Sequence, residues 1–514
     1  MRSLLPRLIK NFRKDHHAKP RRAPGHALFE GLEPRQLFST FVVTNLNDGG
    51  YGSLRQAIVD ANAHAGADTI DFHSGVQGTI TLTHGALDIT GPVSIVGPGA
   101  SDVTVSGNNS SRVFNVSPSN SVSISGLTLT KGNPGKDYGG AILNYGSLTL
   151  THDVVSNNVA ASLEVSSVYG GGAGLANFGT ASVTGCTFSH NSVYGHDYST
   201  KDGGGAIYNA GTLTLTSSTL SGNNASFSPS ATGSVLSGGG LYNSGTATVT
   251  TSTISSNTVT VPIDVNGLPT EENNYGGGIY NSGKLTVKAS TISNNILHND
   301  SMSGQAYGGG IFSSGTALIE DSTIADNVSG QTVSDGLGTG GGLTVKGGTA
   351  NLINCTVAFN TATGFGGGLD LESGKVVLGN TTIGENYDQG EDSSPQLFTD
   401  LYVVGGSTQS LGHNLIENDG QGQGSWLSSD KVGRPQPYGS GEINPELGAL
   451  ANNGGPTQTL AITPSSPAFN GGSASLAQQY GLTTDQRGDP RVDHGRVDIG
   501  AYEFIGLFSP VLGR

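Results

Sequence analysis

Eight copies of one short pattern fill the middle of this 514-residue chain, and no other feature limits its fold as strongly. The unit reads Gly-Gly-(Gly/Ala)-(Ile/Leu)-x-Asn-x-Gly-x-(Leu/Ala)-x-(Leu/Val). After a few residues come a small residue, Thr, (Ile/Phe/Leu), two residues and Asn. The anchoring apolar residue stands at Ile142, Leu175, Ile207, Leu241, Ile279, Ile311, Leu343 and Leu369, at spacings of 33, 32, 34, 38, 32, 32 and 26.

Within a copy the apolar residues alternate with period two, as in Thr212-Leu213-Thr214-Leu215-Thr216. That period places Leu213 and Leu215 on one face of a strand. Leu148/Leu150, Leu285/Val287 and Leu318 with its neighbours read alike. A unit with so few residues in strands cannot bury its apolar face alone, so copies must stack. Stacked equivalent strands run parallel, about 4.8 Å apart, and parallel crossovers wind right-handed. The expected fold is therefore all-β: a right-handed parallel β-helix, a solenoid with an N-terminal helical cap and a C-terminal capping module. Caps are expected because open ends would expose strand edges and core.

Composition agrees where it bears on this choice. The 82 glycines occur in clusters, so collagen, which needs one at every third position, is excluded. A net charge of −15 argues against a nucleic-acid partner. No stretch approaches 18 apolar residues, so no transmembrane helix is expected. Glycine runs such as Gly203–Gly205 and Gly276–Gly278 lack the Lys-Ser/Thr of a phosphate loop and recur in every copy. They read as tight bends where a strand starts. Two Asn columns follow: Asn144, Asn177, Asn209, Asn243 and Asn281; and, aligned to within a residue, Asn158, Asn191, Asn224, Asn257, Asn295, Asn327, Asn360 and Asn386. They read as turn residues in left-handed conformations, with amides bonded from coil to coil. Cys186 and Cys355 occupy equivalent places five coils apart, about 24 Å, too far for a disulfide. Both are expected to be buried free thiols in the slot that Ser218, Ser252, Ser290 and Ser322 fill elsewhere.

The ends differ from the middle. Residues 1–35 carry nine Lys/Arg against three acids, leaving a net −21 on the rest. The chain divides into a basic leader, 1–40, expected to be largely disordered; a cap and first coils, 41–130; the repeats, 131–390; C-terminal coils and an end module, 391–504; and a tail, 505–514. Ser53-Leu54-Arg55-Gln56 has the form of a capping box, and Leu54, Ala57, Ile58 and Ala61 follow at helical spacing, so a helix over 54–64 is expected to plug the first coil. Asn47-Asp48-Gly49 reads as a turn. Asp485, Arg487, Arg491, Asp493, Asp498 and Glu503 read as ion pairs that hold the end module, with calcium or anchoring as the alternative.

Several segments resemble known families. Leu32-Glu33-Pro34-Arg35-Gln36-Leu37-Phe38-Ser39 resembles the LEPR-type motif of planctomycete-like surface and exported proteins. Gly52–Ile58, Ala61-Asn62, Ala67–Ile70 and Gly78–Leu82 resemble the N-terminal module of bacterial surface β-helix proteins. Gly139–Ile142, Gly204–Ile207 and Phe188–Asn191 resemble polymorphic outer membrane protein repeats. Asn452–Thr459, Ser466–Ala468, Asp485–Gly488 and Val497–Glu503 resemble the choice-of-anchor Q domain, although Phe469-Asn470 replace its usual acidic residue. The resemblance implies an extracellular or cell-surface protein, outer-membrane association included, with an adhesin-like binding or structural role. The partner it implies is an extracellular glycan or a cell-surface protein.

The variable segments all leave one point of the repeat and so project from one face. They carry acids and aromatics, among them Glu164, Tyr194, His196, Asp197, Tyr198, Asp264, Glu271, Glu272 and Asp300. Tyr138, Tyr169, Tyr275, Tyr307 and Phe365 precede the glycine run, either as a stack closing the loop base or as a ligand platform. The tyrosines are the binding candidates. The alternative is a polysaccharide lyase or glycoside hydrolase acting in a groove on the β-helix; glycoside hydrolysis needs two carboxyls about 5–9.5 Å apart. Asp370 and Glu372 are the candidate pair: they break the aromatic–Asn pattern of earlier copies and share one face of a strand. Lys346 falls in the column of Glu372, so a surface ion pair is the plainer reading. His413 reads as a turn histidine. No cofactor and no metal ligand set is read in the chain.

Overall fold

The computed structural model describes residues 39–135, 137–161, 170–195, 201–227, 235–261, 273–299, 304–330, 338–389, 400–420, 422–434 and 441–506. Nearly all the regular structure is short parallel strands in coils. The largest sheet has 22 strands, and others have 13, eight and five. Through the first copies equivalent strands pair without slippage: Leu175 lies beside Ile142 and Ile207, and Leu241 beside Ile207 and Ile279. This is the parallel β-helix read from the repeat.

One coil shows why the sequence winds this way. In the third copy the chain runs through Ile207–Asn209, Thr212–Thr216, Thr219–Ser221 and Asn224–Phe227. Leu213 and Leu215 are buried while Thr212 and Thr214 are exposed. Ile207 and Leu220 are also buried, so each coil contributes inward residues from three directions to one continuous core. Burial of each such side chain contributes about 1.5–3 kcal/mol. In the sixth copy Ala317 and Ile319 point inward and Leu318 faces outward, the reverse of the reading that Leu318 is a core residue.

The glycines act by position. Gly276, at φ +67°, begins a coil where a Cβ would strike the Ile279 carbonyl. Gly277 and Gly278 face the backbone carbonyls of the next coil, where a side chain has no room.

The Asn columns bond as ladders, but not through left-handed backbones. Asn144 donates its amide to Asn177 at 2.7 Å, Asn177 to Asn209 at 2.7 Å, and Asn209 to Asn243 at 2.8 Å. The second column passes through Asn223 rather than Asn224, because Asn191 and Asn257 are joined by the Asn223 amide. The left-handed residue is the one just before the ladder, as at Asn157, His190, Ser256, Asn294 and Asp326. That backbone turn frees the next side chain to point inward and bond along the axis. The thiol slot is as expected: Cys186 and Cys355 are free and buried. The Cys186 amide donates to Ser218 Oγ at 3.1 Å, and Ser218 and Ser252 continue the series.

The N-terminal helix α1 (Leu54–Ala63) buries Leu54, Ala57, Ile58 and Ala61. Ser53 caps it by accepting from the Gln56 amide at 3.1 Å, but the Gln56 side chain turns to Asp60, so only half of the capping box forms. Asn47–Gly49 is a turn stapled by Asp48. Burial raises the Asp48 pKa, yet bonds from Thr83, His84 and Arg55 outweigh it and pull it down to about 2.

The C-terminal end departs from a simple plug. Val403, Trp426 and Val432 pack against the last core residues. The end module instead lies back along the 13-stranded sheet, on its outward threonines. Thr291 donates to the Gln458 carbonyl, Thr323 to Gln486, and Thr382 to the Ile499 carbonyl; Thr356 accepts from the Ala501 amide. Most of the acids and arginines here form ion pairs, but Asp493 meets His494 and Asp498 accepts from the Asn470 and Phe504 backbone amides. Arg491, fully buried, bonds Asp321 of the sixth copy at 2.6 Å, and Arg487 joins Asp485 at 2.8 Å.

Candidate functional site

The site grows from one outward column of the 22-stranded sheet. The residue after each anchor must face away from the core, and register places these residues in a line: Leu143, Ala176, Tyr208, Tyr242, Tyr280, Phe312, Thr344, Asp370 and Tyr402. Coils 4.8 Å apart suit stacked rings. Centroids are 4.8 Å apart for Tyr208–Tyr242, 4.6 Å for Tyr242–Tyr280 and 5.4 Å for Tyr280–Phe312. This ladder of Tyr208, Tyr242, Tyr280 and Phe312 was not among the sequence candidates. Its signal was the aromatic directly after the anchor in four consecutive copies, followed by Asn in three of them and by Ser313 in the fourth.

The sequence candidates surround it. Tyr138 meets Phe178 edge-on at 5.2 Å and Tyr208 at 4.9 Å. Tyr275 lies 4.5 Å from Phe312 and stacks on Tyr307 at 5.6 Å. Phe365 stacks on Tyr402 at 4.7 Å. Tyr169 lies outside the described residues, as do Glu164, His196, Asp197, Tyr198, Asp264, Glu271, Glu272 and Asp300. The central rings spend their faces on one another: Tyr242, Tyr280, Tyr307 and Phe312 are only 3–5 % exposed. A spine of that kind stiffens the sheet. At its open margin lies a cleft of about 270 Å³ lined by Val235, Tyr275, Tyr280, Phe312, Ser314 and Lys346.

Asp370 and Glu372 lie at the far end of the strip. Asp370 is fully buried; its Oδ2 accepts from Thr339 Oγ1 at 2.8 Å, and among the described residues its Oδ1 has no partner. Burial, and then the Glu372 charge, push its pKa up to about 8. The strand bulges here: Lys346 pairs with Ser373, not Glu372, and Glu372 is left unpaired in the ladder. Lys346 still reaches Glu372 at 3.9 Å, so the ion pair forms across the bulge rather than along the column. Its Nζ also sits 4.0 Å from the Tyr307 ring centre. Burial and the two carboxylates raise the Tyr307 pKa above its ordinary value.

Other candidates stay apart. Glu320 pairs with Lys288 at 3.6 Å, and Asp321 serves Arg491. His413 is a left-handed turn residue whose Nδ1 meets the Gly471 carbonyl at 2.9 Å. Among the described residues, no three His, Cys, Asp or Glu side chains converge as a metal site, and no helix is long and apolar enough to cross a membrane.

No protein-family model matches the chain, and no curated protein does. Among solved structures, the crystal structure of the pectate lyase Pel9A aligns with a TM-score of 0.40 and 14 % identity, over 90 % of this chain and 96 % of that one.

Proposed function

We propose that this is an extracellular or cell-surface β-helix with an adhesin-like role, binding glycan at the aromatic strip. The observation that supports it is the cleft where Tyr275, Tyr280 and Phe312 meet Lys346 and Ser314. The half-buried Tyr275 ring offers a face or edge to the apolar face of a sugar, with the buried Tyr280 and Phe312 rings behind it. Lys346 adds a cation for an acidic sugar, and Ser314 a hydroxyl for hydrogen bonding. The surface location rests on the sequence resemblances: the LEPR-type motif, the polymorphic-outer-membrane-protein-like repeats and the choice-of-anchor Q-like end module.

The test is a glycan array followed by titration calorimetry on the hits. Binding should fall at least tenfold in Lys346→Ala and Tyr275→Ala. Absence of any glycan ligand would leave a purely architectural wall protein.

A second reading, a polysaccharide lyase or hydrolase, is favoured by one observation. Asp370 is an acid held protonated near neutral pH beside a second carboxyl, the state a general acid requires. Its complete burial opposes that reading, since substrate would have to reach it. Production of reducing ends or unsaturated uronates, lost in Asp370→Asn, would establish the enzyme and displace the adhesin.

A further inference from the structure

Far from the aromatic strip, at the first coil, three side chains from three elements meet in a line. Ser39 Oγ lies 3.2 Å from His64 Nε2, and His64 Nδ1 lies 2.9 Å from Asp68 Oδ1. We propose that Ser39, His64 and Asp68 form a nucleophile–base–carboxylate relay that hydrolyses acyl esters.

Each member adjoins or opens a packed element. Ser39 precedes the strand Thr40–Val43; its amide donates to Asp68 Oδ1 at 3.1 Å and its carbonyl accepts from the Thr69 amide at 2.9 Å. Asp68 opens the neighbouring strand Asp68–Phe72, paired in register with the first. His64 caps the C-terminus of α1, its backbone amide bonded to the Ala61 carbonyl. The Phe41 ring stands edge-on to the imidazole at 6.3 Å. Groups fixed by packed elements keep the geometry that catalysis needs.

The protonation pattern follows from the partners. An ionised carboxylate only accepts, so Nδ1 carries the proton and donates to Asp68. Nε2 is then the acceptor facing the Ser39 hydroxyl, the tautomer a general base requires. Asp68 is 2 % exposed, and among the described residues its Oδ2 is buried without a partner. The His64 side chain is 31 % exposed, so water can reach the base.

A groove of about 290 Å³ lies alongside, between the first strand and α1. Thr40, Phe41 and Val42 line one side; Gln56, Ala57 and Asp60 line the other. Thr40 is the residue after Ser39, and Asp60 lies one helical turn before His64. Among the described residues no strand pairs with the outer edge of Thr40–Val43. Phe41, Val42 and Ala57 give the groove apolar contact for a short acyl chain, and Phe41, which meets the His64 ring, joins it to the relay. In the reaction, Ser39 Oγ bonds to the ester carbonyl carbon while its proton passes to His64 Nε2. The carbon–oxygen bond to the leaving alcohol breaks, and the alcohol takes that proton. Water, deprotonated by His64, then cleaves acyl-Ser39, giving the acid and restoring the hydroxyl.

The test treats the full-length folded chain with a fluorophosphonate probe and maps the adduct by peptide mass spectrometry. Ser39 should label at least tenfold faster than any other serine. p-Nitrophenyl acetate should be hydrolysed above the buffer rate, lost in Ser39→Ala and cut at least tenfold in His64→Gln, with the far-UV spectrum unchanged. Wild-type chain that leaves Ser39 unlabelled overturns the proposal without any variant. Labelling of His64→Gln at the wild-type rate overturns it equally, because the histidine would then be only a hydrogen-bond partner.

Discussion

Replacing Asn257 by Ala tests whether the amide ladder holds the solenoid together. Asn257 is fully buried. Its Oδ1 accepts from the Asn223 backbone amide at 3.0 Å and from Asn223 Nδ2 at 2.9 Å. Its Nδ2 donates to the Leu220 carbonyl at 3.0 Å and to Asn295 at 2.9 Å. Alanine keeps the backbone bond to Asn295 and loses the rest. The Asn223 backbone N–H is left with no acceptor, while Asn223 Nδ2 retains the Phe188 carbonyl at 3.0 Å. An orphaned buried donor costs about 1–3 kcal/mol. One full orphan, one half-satisfied amide and the emptied volume together come to about 2–5 kcal/mol. Because each coil contacts only its neighbours, the loss should act locally and lower cooperativity. Equilibrium urea unfolding followed by far-UV circular dichroism reads it, with the exposed Thr246→Ala, expected to cost less than about 1 kcal/mol, as control. A loss below about 1 kcal/mol for Asn257→Ala would refute the reasoning and leave apolar burial as the ladder's whole support.

Buried acids make stability depend on pH in one direction. Burial raises Asp370 and Asp400 to about 8 and Asp153 to about 7. The folded chain therefore keeps protons that the unfolded chain releases near pH 4, so their contribution is full below that and is lost as pH rises through 7–8. The Tm should fall between pH 5 and 8.5, with a shallower slope in Asp370→Asn; a flat or rising Tm contradicts this. Arg491→Met leaves Asp321 buried without its guanidinium, a loss of about 3–5 kcal/mol. Hydrogen exchange should then show protection lost over 441–506 and kept in the strand Lys284–Lys288. Both thiols should ignore a disulfide reagent until the chain unfolds: burial pushes Cys186 up to about 12 and raises Cys355 too, so neither offers a thiolate. Reaction of either in the native protein would argue against the slot.

Much of the scaffold was legible in the chain because a solenoid repeats its environment. One period, read eight times, specified strand direction, inward residues, the glycine bends and the thiol slot. What repeats reads well; what breaks the repeat does not. The bulge at Glu372 shifted Lys346 onto Ser373, and no spacing rule announces a bulge. The Asn223 shift was hidden because two adjacent asparagines compete for one inward place.

The amino-acid sequence by itself determined the parallel coils, their core and the capping helix, since these follow from alternation, stacking and turn chemistry between near neighbours. The tertiary structure alone decided which outward residues meet. It stacked Tyr208, Tyr242, Tyr280 and Phe312 across more than 100 residues of chain, laid the end module on the threonine face, and brought Ser39 to His64 and Asp68. The physical reason is that contacts across coils depend on register accumulated over every loop between them, and side chains facing outward carry no apolar signature that marks their neighbours in advance.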